Sequence, residues 1–150
     1  MPELTDLQRC TLAAVAERIL PSDDGPGAHE TGAADYVAAA LGEERLRGLL
    51  PLFARSLDRI EEIAQATLGT GFSEAGPGRQ DDVLRQLETL PDPAIRHFLA
   101  RLVRLCVEGF AGPPAAGGNR HGLGWRYLGY PLDGMEGDGC RDAVMPRATP

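Results

Sequence analysis

Apolar residues recur three or four positions apart in five segments of this chain, and glycines and prolines separate the segments. The longest apolar stripe lies between residues 46 and 68 and consists of Leu46, Leu49, Leu50, Phe53, Leu57, Ile60, Ala64 and Leu68. That spacing is the period of an α-helix, and no segment shows the sustained alternation of a β-strand. The sequence therefore predicts an all-α fold, a small bundle of about five helices.

Capping residues and prolines indicate where these helices end. Thr5 and Gln8 form a capping box before the first helix, and Asp92 followed by Pro93 indicates the start of the last one. Pro51 would either kink the long helix or restart it at a first-turn position. The expected helices cover residues 5–20, 33–41, 46–68, 79–89 and 92–110.

Residues 108–131, here called the glycine-rich segment, differ in composition from the rest. They contain seven glycines, the only Asn, the only Trp and two of the three Tyr. Glycine permits positive φ and close approach of another surface, and aromatic rings with polar tips suit sites that are half apolar and half wet. We therefore expect a structured loop over 111–131, within a helical domain that spans 1–132. Residues 133–150 bury too little apolar surface to offset ordering entropy, which predicts a flexible tail.

Charge and hydropathy exclude several classes of partner. A net charge of −7 and a pI near 4.9 argue against nucleic acids and anionic membranes. No apolar run approaches the roughly 20 residues of a membrane-spanning helix. The N-terminus lacks the basic and apolar regions of a secretory signal and has no twin arginine. These features favour a cytoplasmic protein, or a periplasmic one if a partner carries the signal.

The three cysteines do not form a CxxC pair, and no metal site is predicted. Cys10 and Cys106 fall within helical patterns, where we expect buried, inert thiols. Cys140 lies in the polar tail, where exposure is expected.

The glycine-rich segment leaves more than one chemical role open. Residues 117–120 could cradle an anion, but the Lys and Ser/Thr of a P-loop do not follow, which favours an architectural loop. His121 could act as a general base, although no orienting carboxylate lies near it in sequence. No catalytic residue is predicted. Two alternative hypotheses remain: a stand-alone enzyme that uses His121 with Arg120 and Tyr127, and a generic helical adaptor for an unrelated partner.

Trp, Tyr and Arg dominate the binding energy of protein interfaces. The aromatic residues of the segment either plug the bundle or anchor a partner, and a mixture is expected. The predicted partner-binding residues are Asn119, Arg120, His121, Trp125, Arg126, Tyr127 and Tyr130.

Three stretches of the chain resemble the gluconate 2-dehydrogenase subunit 3 family. The first comprises Leu4-Thr5 through Ala13, Arg18-Ile-Leu-Pro-Ser-Asp-Asp-Gly-Pro-Gly-Ala28, Gly32 and Asp35-Tyr36. The second comprises Phe72, Leu84 and Leu87-Glu88. The third and most specific comprises Glu108-Gly-Phe110, Gly117-Gly-Asn-Arg120, Gly122, Gly124-Trp-Arg126 and Gly129-Tyr-Pro131. Its expected structural residues are Glu108, Phe110, Gly117, Gly118, Gly122, Gly124, Gly129 and Pro131.

The resemblance implies a supporting role and no reaction in this chain. Members of the family are small non-catalytic partners of a large flavoprotein of the glucose–methanol–choline oxidoreductase class. That subunit holds FAD and oxidises a sugar, sugar acid or polyol, and some complexes add a cytochrome c subunit. The small subunit supports the folding, stability and export of the large one. We therefore expect no cofactor in this chain and FAD in its partner.

Overall fold

A computed structural model describes residues 2–129, and within that range the chain forms seven α-helices and no β-strand. The helices are α1 Asp6–Ile19, α2 Ala28–Thr31, α3 Ala33–Gly42, α4 Leu50–Leu68, α5 Pro77–Thr89, α6 Pro93–Ala111 and α7 Leu123–Leu128. Short 3₁₀ turns precede α4, α5 and α7. The all-α prediction is confirmed for the described residues.

The predicted helix starts are confirmed at both capping sites. The Gln8 N–H donates to Thr5 Oγ1 at 3.1 Å, and Gln8 Oε1 accepts from the Thr5 N–H at 2.9 Å. Asp92 Oδ1 accepts from the Ala94 N–H at 2.9 Å. Pro51 lies in the first turn of α4, after the 3₁₀ turn Arg47–Leu49. Of the two roles open to Pro51, the structure shows the restart.

The core is built from the inward stripes of α1, α3, α4, α5 and α6. The rings of Phe53 on α4 and Phe98 on α6 meet edge to face with centroids 5.0 Å apart. Cys106 is buried as expected, and desolvation raises the pKa of its thiol to about 12. The expectation of burial is wrong for Cys10, which is exposed. The inward stripe of α1 passes through Leu12 and Val15, and position 10 lies off that stripe.

Polar contacts fix α1 against α4 and α5. Thr11 Oγ1 donates to Glu61 Oε1 at 2.7 Å, and the same carboxylate accepts the N–H of Phe72 at 3.2 Å. Arg18 donates two hydrogen bonds to Asp81, at 2.8 and 3.1 Å, and this pairing lowers the pKa of Asp81. These contacts hold the end of α1 in place and so position the loop that follows it.

Two helices were not expected from the sequence. The four-residue α2 fills part of the turn-rich stretch before α3. The helix α7 contradicts the prediction of a loop throughout 111–131. Its flanking residues Gly122 and Gly129 have φ of 67° and 77°, so the glycines cap a short helix instead of preventing one.

Some predictions concern residues outside the described range. They include the placement of Tyr130 and Pro131, the exposure of Cys140, the domain boundary at 132 and the flexible tail over 133–150. Within 2–129, no helix is long and apolar enough to cross a bilayer.

Candidate functional site

Asn119 organises the glycine-rich segment from a fully buried position. Its Nδ2 donates to the carbonyl of Gly112 at 2.8 Å, and its Oδ1 accepts from the N–H of Gly124 at 2.8 Å. Its own N–H donates to the carbonyl of Gly109 at 2.6 Å. One side chain thus connects the end of α6 to the start of α7. The φ of +46° at this position is one that Asn tolerates better than most residues.

Two glycines bring the segment into backbone contact with α6. A Cβ on Gly118 would lie 2.8 Å from the Cα of Gly109. A Cβ on Gly124 would overlap the carbonyl oxygen of Phe110. Real Cβ atoms do not approach backbone atoms so closely, so these positions need glycine for space.

Aromatic side chains complete the packing between α6 and α7. The indole Nε1–H of Trp125, which is half-buried, donates to the carbonyl of Ala111. The rings of Phe110 and Tyr127 meet edge to face with centroids 6.2 Å apart. Trp125 and Phe110 therefore hold α7 against the bundle.

The glycine-rich segment also contacts the α2–α3 corner. The Arg120 guanidinium donates to Asp35 on α3. Its side chain passes over Gly32, where a Cβ would lie 2.5 Å from Arg120 Nε. Gly32 has a φ of +75° and joins α2 to α3. Position 32 thus requires glycine for two reasons: its φ is positive, and the Arg120 side chain occupies the space that a Cβ would need.

A second contact joins α7 to the loop after α1. A Cβ on Gly25 would lie 2.5 Å from Cδ2 of Tyr127. Glu17 orders this loop because its carboxylate accepts the N–H groups of Ser22 at 2.8 Å and His29 at 2.9 Å. Burial alone would raise the pKa of Glu17, but hydrogen bonds from the Ser22 side chain and from the N–H groups of His29 and Ser22 lower it.

Glu108, one of the expected structural residues, connects α6 to α3. The Tyr36 hydroxyl donates to Glu108 Oε2 at 3.2 Å. Burial and this carboxylate both raise the pKa of Tyr36. Gly109 packs against the same ring, since a Cβ there would lie 2.9 Å from Tyr36 Cδ1. Glu108 and Gly109, in the third resembling stretch, thus contact Tyr36, in the first.

The structure therefore brings most of the predicted site residues together around α7. Tyr127 and Leu128 are 57% and 51% exposed, and His121 is exposed with a φ of +56°. Asn119 has no exposed surface, so the structure gives it a role inside its own chain. Direct contact with a partner stays a prediction for the other residues of that set.

Gly25 and Asp35 belong to the site although the sequence did not single them out as site residues. Both lie in the stretches that carried the family resemblance, and that was the one available signal. Their contacts with Tyr127 and Arg120 join positions about 100 and 85 apart in the chain. Periodicity within a short window of sequence does not predict contacts over such separations.

Among residues 2–129, no three His, Cys, Asp or Glu side chains are grouped as a metal site requires. No curated protein and no solved structure matches the chain significantly. A family model described as Gluconate 2-dehydrogenase subunit 3 matches residues 6–131. The matched residues include the loop after α1, the α2–α3 corner and the glycine-rich segment, which together form the site. The chain belongs to the gluconate 2-dehydrogenase subunit 3 family.

Proposed function

We propose that this chain is a non-catalytic small subunit that binds and stabilises a large FAD-dependent dehydrogenase of a sugar, sugar acid or polyol. Membership of a family named for a dehydrogenase subunit supports a role in such a complex. A third subunit of the cytochrome c type, and a cellular location set by the large subunit, belong to the same proposal.

The observation that carries the proposal is that some side chains of the glycine-rich segment hold α7 in place while others are exposed to solvent. Asn119 and Trp125 use their polar groups to hold α7 in place. Tyr127 and Leu128 then present more than half of their surface to solvent. The Tyr127 ring, which packs on Phe110 and Gly25, is already held in place and loses little entropy on binding, which suits an anchor for another protein.

The alternative of a stand-alone enzyme gains no support from the contacts of its other two residues. Arg120, which that hypothesis groups with His121, pairs with Asp35. Tyr127 packs on Phe110 and Gly25. Both residues have structural partners, so we retain the subunit role.

Co-expression of this chain with the candidate large flavoprotein subunit tests the proposal. We expect the large subunit to be soluble, loaded with flavin and active with this chain, and to have a lower soluble yield or flavin content without it. A large subunit that is equally soluble, flavin-loaded and active alone would contradict the proposal, as would turnover by the purified small chain.

A further inference from the structure

The outer side of α6 carries a second, mostly apolar stripe that residues 2–129 leave exposed. Val103 and Val107 are 44% and 49% exposed, and Arg96 and Ala100 are also exposed. Positions 96, 100, 103 and 107 fall on one side of a helix. The core stripe of α6, which includes Phe98 and Leu102 among others, lies on the other side.

This outer stripe leads toward α7. Phe110 and Ala111, one turn beyond Val107, are the residues that contact Tyr127 and Trp125. Five large apolar side chains are exposed among residues 2–129, and four of them lie on α6 and α7. Exposed apolar surface concentrated in this way is typical of a binding surface.

The charge of α6 is opposite to that of the whole chain. Three arginines, Arg96, Arg101 and Arg104, and a single glutamate lie on α6, whereas the chain has a net charge of −7. The Arg104 side chain is 73% exposed and lies 3.5 Å from Glu108. An exposed pair at that distance is weak, so Arg104 is available to another carboxylate.

We infer that the outer face of α6, defined as Arg96, Ala100, Val103, Arg104 and Val107, is a docking surface for a strip of the large subunit in which acidic side chains flank apolar ones. The inference rests on the proposed function. Electrostatic complementarity favours an acidic partner surface. A second copy of this chain would bring two basic faces together, and an anionic membrane would repel the acidic remainder of the protein.

The test measures the affinity of the full chain for the large subunit by isothermal titration calorimetry. Val107→Asp places a carboxylate within the stripe, and we expect it to weaken binding at least about tenfold. Arg104→Glu should weaken binding several-fold at low salt and less at high salt, because ions screen exposed charges. Leu7→Asp, at a 58% exposed position on α1, is the matched control and should change affinity less than about twofold. Circular dichroism establishes that each variant is folded.

Several results would overturn the inference. If Val107→Asp and Arg104→Glu bind like the unmodified chain while Tyr127→Ala binds more weakly, the α6 face is not part of the interface although the proposed function stands. If the unmodified chain does not bind the large subunit, both proposals fail. If the isolated chain forms a dimer that Val107→Asp dissociates, the occupant is a second copy and the inference is wrong.

Discussion

The ring of Tyr127 lies directly on the backbone of Gly25, so the loop after α1 and the helix α7 form one surface. Glu17 holds the loop from one side, and Phe110 holds the tyrosine ring from the other. The orientation of an exposed aromatic side chain is thus set by residues about 100 positions earlier in the chain.

Gly25→Ala should change this surface without unfolding the protein. The added methyl group would displace the tip of a side chain that can rotate away, so we expect the free energy of unfolding to change by less than about 1 kcal/mol. Binding to the large subunit should weaken about tenfold because Tyr127 moves, as measured by calorimetry. Gly48→Ala, at a position with open space, is the control and should leave both quantities unchanged. Equal affinity for the two variants would show that the position of Tyr127 is unimportant.

Gly124→Ala should destabilise the fold itself. The new Cβ would meet the backbone of Phe110, which cannot move aside as a side-chain tip can. We expect a loss of roughly 3 kcal/mol in the free energy of unfolding, measured by urea denaturation. Gly78→Ala on α5 meets nothing within 4 Å and should be neutral or slightly stabilising. A loss below about 0.5 kcal/mol for Gly124→Ala would contradict the close packing of α6 and α7.

Asn119→Ala should also reduce the free energy of unfolding, by about 3 kcal/mol. It leaves the carbonyl of Gly112 and the N–H of Gly124 without their partner and places a Cβ-bearing residue at positive φ without local support. Asn119→Gly accepts the backbone angle and loses only the side-chain hydrogen bonds, so its loss should be smaller. Equal losses for the two variants would show that the backbone angle contributes nothing.

Stability should fall in acid through the Arg18–Asp81 pair. The pKa of Asp81 is lower in the folded state than in the unfolded state, where it is about 3.9. Its contribution is therefore present above about pH 4 and is lost as the pH falls through the folded-state pKa. The pair is partly exposed, so solvent screening limits this contribution to about 0.5 to 1 kcal/mol.

Urea denaturation between pH 3 and 7 measures that contribution. Asp81→Asn should lower stability at pH 7 and reduce its decline below pH 4. Asp82→Asn, which removes an exposed carboxylate from the same helix, should have a smaller effect. Indistinguishable pH profiles for the two variants would exclude the pair as a source of the acid dependence.

The local signals in the sequence were sufficient for the helical framework. Thr5, Gln8, Asp92 and Pro93 determine helix starts through contacts with residues two or three positions away, so pattern alone identifies them. Pro51 was compatible with two roles, because whether a helix continues through a proline depends on the packing around it.

The site could be predicted only in part. Composition identified the glycine-rich segment, but glycine content alone does not distinguish a loop from the capped helix α7. Asn119 is buried among backbone groups of Gly109 on α6, Gly112 at the end of α6 and Gly124 on α7, which only the folded chain brings together. The error at Cys10 arose because membership of a helix does not imply burial, and position 10 lies off the inward stripe through Leu12 and Val15.

The most direct test of the proposed function is the dissociation constant of the large subunit with the double variant Tyr127→Ala, Leu128→Ala. Both side chains are more than half exposed, so the variant should remain folded by circular dichroism. Leu7→Ala is the control for loss of an exposed apolar side chain. We expect the double variant to raise the dissociation constant at least about 30-fold, or about 2 kcal/mol, while Leu7→Ala leaves it unchanged. A folded double variant that binds as tightly as the unmodified chain would contradict a docking role for α7.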